Sequence, residues 1–97
     1  MNHEKIKQLS QIFPEITIQT PLEKILDILS SKGWEVSVQH LLEPTETGSV
    51  KRYRYCVSGT TSFIDGPCNS YEEAFEEAFY RIALTINCLQ KGSMLKD

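Results

Sequence analysis

The sequence predicts an α+β domain: a helix, an optional short strand, a second helix, a three-stranded antiparallel sheet and a closing helix, with the helices packed on one sheet face. Three observations lead there. Apolar residues recur every three or four positions over residues 22–29 and again over 71–89, the spacing of one helical face. Residues 34–41, 50–58 and 61–65 instead alternate apolar and polar side chains with the period of two that marks half-buried strands. The three alternating runs follow one another through short polar or glycine-containing segments, which is the order of an antiparallel meander.

Each element has its own signals. Ile6, Leu9, Ile12 and Phe13 form a thin stripe on a first helix over residues 3–12, and Pro14 ends it, because the residue before a proline is driven out of helical backbone. Residues 16–20 alternate β-branched and polar side chains, so a short strand or an extended linker is expected. Thr20, Pro21 and Glu23 have the order of a capping box around a proline at the first helical position. Leu22, Ile25, Leu26 and Leu29 then share a helix face, and Gly33 supplies a left-handed stop.

In the sheet, Trp34, Val36 and Val38 face inward on the first strand, and residues 43–49 read as a polar loop. On the second strand Tyr53, Tyr55 and Val57 fall on one side and Arg52, Arg54 and Cys56 on the other. The third strand closes at Gly66 and Pro67. Ser70 and Glu73 form a second capping box for a helix over residues 70–91 that stops at Gly92. Its broad face carries Tyr71, Ala74, Phe75, Ala78, Phe79, Ile82, Ala83, Ile86 and Leu89.

The 97 residues are expected to form a single domain: an N-terminal helix and linker over 1–19, an α-β-β-β-α core over 20–92 and a frayed tail over 93–97. A chain of this size buries roughly 60–70% of its unfolded surface, which leaves little room for large buried polar sites. The net charge of −3 gives the molecule no bulk attraction for polyanions. The start of the chain lacks the apolar core of a signal peptide, and no stretch approaches the roughly 18 apolar residues of a membrane span. Three widely spaced cysteines, Cys56, Cys68 and Cys88, fit reduced thiols in a cytoplasm better than a disulfide scaffold.

The side chains that carry chemistry are few. Cys56, Cys68, Cys88 and His40 contain no close pair of the kind that presents two ligands to one zinc ion, so no metal or cofactor is expected. Cys88, beside the helical stripe, reads as a small buried hydrophobe. Cys68 precedes a helix N-terminus, a position that lowers a thiol pKa, and with His40 as base it is the one thiol-enzyme candidate. Against it, Glu72, Glu73, Glu76 and Glu77 cancel the positive end of the helix. These four are otherwise expected on a solvated helix face. Lys51, Arg52 and Arg54, interleaved with Tyr53 and Tyr55, have the composition of a nucleic-acid grip. Strand alternation separates the arginines from the rings, however, and so counts against it.

Residues 32–36 (Lys-Gly-Trp-Glu-Val), the Tyr53-Arg54-Tyr55 triplet and residues 70–78 together resemble small α+β proteins of phages and prophage-like elements, of the ABA-sandwich type, over residues 22–89. The resemblance implies a mobile-element accessory protein with no established activity. The helix, three strands, helix order is also similar to the double-stranded-RNA-binding domain, but the lysine-rich start of that domain's last helix is replaced here by glutamates. The leading expectation is therefore a cytoplasmic, non-enzymatic protein that acts by contact with another protein or with itself as a homodimer. A nucleic-acid accessory role through Lys51, Arg52 and Arg54 comes second and a thiol enzyme third.

Overall fold

The backbone of residues 3–95 and the side chains of residues 4–89 are described by a computed structural model. The elements follow in the order α1 (His3–Ile12), α2 (Leu22–Ser31), β1 (Glu35–Thr45), β2 (Gly48–Ser58), β3 (Ser62–Cys68) and α3 (Tyr71–Leu95). The three strands form one antiparallel sheet with β2 in the centre, and α3 packs on it. The α+β class and the helix–helix–sheet–helix order are those the periodicities predict.

The N-terminal helix docks on its own chain. Ile6 and Leu9 are buried against α3, and the Lys5 ammonium on the same helix pairs with Glu77. That hydrogen bond, with the fields of Glu77, Glu76 and Glu73, holds the Lys5 pKa above its ordinary value despite partial desolvation. The arrangement corrects one expectation. Glu76 is not on a solvated face but is buried, because α1 covers the flank of α3 from which it projects.

Two expectations at the α1–α2 junction fail for one reason. No strand forms over residues 16–20; a tight turn is found instead. Within it the Thr20 N–H donates to the Thr17 carbonyl (3.0 Å) and the Thr17 N–H donates to the Thr20 hydroxyl (2.8 Å). With its hydroxyl engaged there, Thr20 does not cap α2. The N-cap is Pro21, whose carbonyl accepts the Ile25 N–H at 3.0 Å, and no side chain caps the helix. Ile16, fully buried, anchors the turn in the core.

The far end of α2 is as expected. Gly33 adopts φ +90°, the Gly33 N–H donates to the Ser30 carbonyl (3.0 Å) and the Trp34 N–H to the Leu29 carbonyl (2.8 Å). These are the two bonds of a Schellman stop, which requires the left-handed residue between them. Trp34, turned inward by this stop, packs against Gly59, where an added Cβ would come within 2.4 Å of the indole.

The sheet is longer than the alternating runs suggest. Residues 43–49 are not a loop: β1 and β2 stay paired to Thr45↔Gly48, which leaves only Glu46 and Thr47 to turn the chain. Pro44 does not break the ladder because β1 is an edge strand, where a missing N–H can face outward. The third strand likewise runs through Gly66 and Pro67. Tyr55 pairs with Asp65 but Tyr53 with Cys68, so two residues of β3 oppose Arg54 alone. This bulge resets the alternation and returns Cys68 to the helix-covered face.

The start of α3 is capped as predicted. The Ser70 hydroxyl accepts the Glu73 N–H and the Glu73 carboxylate accepts the Asn69 N–H, both at 3.0 Å. The helix does not stop at Gly92 and extends to Leu95. A glycine inside a helix costs only about 1 kcal/mol relative to alanine. Of the expected frayed tail, residues 93–95 are thus helical and residues 96–97 lie outside the described residues. One apolar cluster joins all layers: Ile6 and Leu9 from α1, Ile25 and Leu29 from α2, Phe75, Phe79 and Ile82 from α3, and Tyr55 and Val57 from the sheet.

Candidate functional site

The register assigns every strand residue to one of two sheet faces. Val36, Val38, Tyr55, Val57 and Phe63 face the helices, and Tyr55 and Val57 are buried there. Ser37, Gln39, Leu41, Arg52, Arg54, Cys56 and Ile64 project from the opposite face. No helix of the described chain covers that face, and Ile64, on the edge strand β3 midway along it, is 64% exposed. Two shallow hollows of about 680 and 520 Å³ lie at its two ends, and Ile64 lines both. Glu35, Ser37 and Cys56 wall the first; Leu41, Glu43 and Arg54 wall the second. An exposed branched apolar side chain flanked by polar ones is a feature of contact surfaces.

The predicted cationic strand is brought to this face only in part. Arg52 and Arg54 lie on it, whereas Lys51 points to the other face, near the Tyr53 ring. Arg52 is held by Glu43 (3.2 Å) and by the Asn69 side-chain oxygen, and Arg54 reaches Gln39 at 3.3 Å. The three cations do not converge. The tyrosines take the helix side, as the alternation predicts, so rings and guanidinium groups line no common groove.

A second polar group, missed in the sequence, lies at the seam between β3 and α3. The Arg81 guanidinium pairs with Asp65, reaches the Tyr55 hydroxyl (3.4 Å) and lies over the Phe63 ring at 4.7 Å. The Gly66 N–H and Arg81 lower the Asp65 pKa, while burial raises that of the Tyr55 hydroxyl. These contacts fasten the closing helix to the edge strand. A period-two pattern places Asp65 on a strand face but carries no sign of the helix residue opposite it, so only the docked fold reveals the pair.

The thiol-enzyme candidate does not assemble. His40 is opposite Tyr53, and Tyr53 is opposite Cys68, so the two are two strand spacings apart, about 10 Å. Cys68 is buried, and desolvation, followed by the fields of Glu73 and Glu77, pushes its thiol pKa up. The acidic helix start therefore opposes thiolate formation, as the sequence predicts. Cys88, expected to be buried, is exposed, because α3 presents that side away from the sheet and α1. The described residues hold no group of three or more metal-ligating side chains. At neutral pH Cys88 is expected to alkylate first and Cys68 at least about tenfold more slowly. Peptide mass mapping over a time course checks the order, and a Cys68 that outpaces a free thiol would revive the nucleophile.

None of the described helices is long and apolar enough to cross a membrane. No family model, no curated protein and no solved structure matches the chain.

Proposed function

We propose that this protein is a non-enzymatic contact module whose working surface is the open sheet face that carries Ile64. The observation that carries the reading is the exposure of Ile64 between two open hollows, on a face that the described helices leave uncovered. Burying a branched apolar side chain of this size gains about 1.5–3 kcal/mol, which this position forgoes in the isolated chain. The non-enzymatic part rests on the burial and raised pKa of Cys68 and on its separation from His40. Three unpaired cysteines fit a reducing compartment, so a cytoplasmic location belongs to the same reading. An accessory role in a mobile element rests on the sequence resemblance alone.

The test is site-specific photo-crosslinking in cells. A photoreactive residue at position 64 is expected to give a discrete adduct, and one at Leu84, also exposed but on α3, is expected to give none. Absence of an adduct from position 64 would refute the reading.

A further inference from the structure

Resting on that reading, we infer that the occupant of the open face is a second copy of this chain, docked face to face about a two-fold axis that crosses the strands at Cys56 and Ile64. Glu35 stands at one end of the face, opposite Ser58, and Arg54 stands four residue pairs away toward the hairpin tip, opposite Gln39. Among the described residues each meets a neutral partner: the Ser30 hydroxyl donates to Glu35 (2.6 Å) and Arg54 donates to the Gln39 side-chain oxygen (3.3 Å). Among the described residues neither takes part in an ion pair.

Cys56 and Ile64 pair with each other across β2 and β3, midway along the face between the Arg54 and Ser58 rows. A two-fold at that row sets Ile64 against Ile64 and brings the Arg54 row of each copy over the Glu35 row of the other. One operation thus covers Ile64 and gives both uncompensated charges an opposite partner, twice over. A polyanion would satisfy Arg54 and leave Glu35 repelled. An isologous contact of this kind is the commonest way a soluble chain associates with itself.

Size sets the strength. Three strands about 4.8 Å apart and six residue steps of about 3.4 Å give a footprint of roughly 300 Å². That is well under the ~800 Å² per partner of a standard stable interface, so the dimer is a weak one.

Sedimentation equilibrium between about 10 μM and about 1 mM covers the range in which such an interface assembles. The mass is expected to rise from 11.1 kDa toward twice that value. Glu35→Arg and Arg54→Glu are each expected to weaken the dimer at least about tenfold by setting like charges together, and the double variant to regain most of the loss. Circular dichroism on each variant confirms that the exposed substitutions leave the fold intact. A monomer throughout the range, single variants without effect, or a double variant as weak as the singles would overturn the inference. The photo-crosslinking result separates the two levels. An adduct from position 64 with a mass other than two chains refutes the second copy and keeps the contact surface; no adduct refutes both.

Discussion

Replacing Phe79 by alanine is expected to destabilise the protein by about 3–5 kcal/mol, enough to leave a domain of ordinary stability close to unfolding at 25 °C. Phe79 is fully buried in the middle of α3 and packs against Phe75 with ring centroids 6.0 Å apart. Around it lie Ala74, Ala78, Ile82 and Ala83 of its own helix, all buried. Those alanines let α3 approach the sheet closely, so the aromatic ring fills space that no neighbour can reach into when it is removed. The loss is therefore a transfer term plus a cavity term. Urea denaturation followed by circular dichroism measures it, and a loss under about 1.5 kcal/mol would show that the helix does not pack as described.

The second large effect concerns the N-terminal helix. Leu9→Ala is expected to cost about 2–5 kcal/mol, because Leu9 is fully buried beneath α3 together with Ile6 and Ile16. A short helix with a thin apolar stripe has little stability of its own, since isolated helices under about 12–15 residues are marginal in water. Its ten residues persist by docking. If α1 were an appended arm, the same substitution would stay within about 0.5 kcal/mol, as surface changes do. The denaturation midpoint therefore decides whether the core extends to the first turn of the chain.

Both substitutions fall on residues whose burial follows from periodicity, and that is where the sequence is most readable. The stripes on α2 and α3, the alternation of Tyr53, Tyr55 and Val57 against Arg52, Arg54 and Cys56, the Gly33 stop and the Ser70–Glu73 cap all depend on near neighbours in the chain. The failures depend on distant or competing partners. Thr20 has the right neighbours for a cap, but Thr17 binds its hydroxyl first. Glu76 has the pattern of a solvated residue until α1 folds over it. Pro44 suggests a loop, yet an edge strand accommodates it, and the bulge at Gly66 and Pro67 carries Cys68 into the core. For the candidate surface, the sequence supplied the faces of β2 but neither the exposed place of Ile64 on the open face nor the Arg81–Asp65 clasp. Both depend on how β3 registers against β2 and α3.

On the proposed reading the protein makes contact through the open sheet face that folding spares. The yield of photo-crosslinked adduct from position 64, compared with position 84 in the same cells, tests this directly. A discrete adduct is expected from position 64 and background from position 84. Equal yields, or an adduct from position 84 alone, would contradict it.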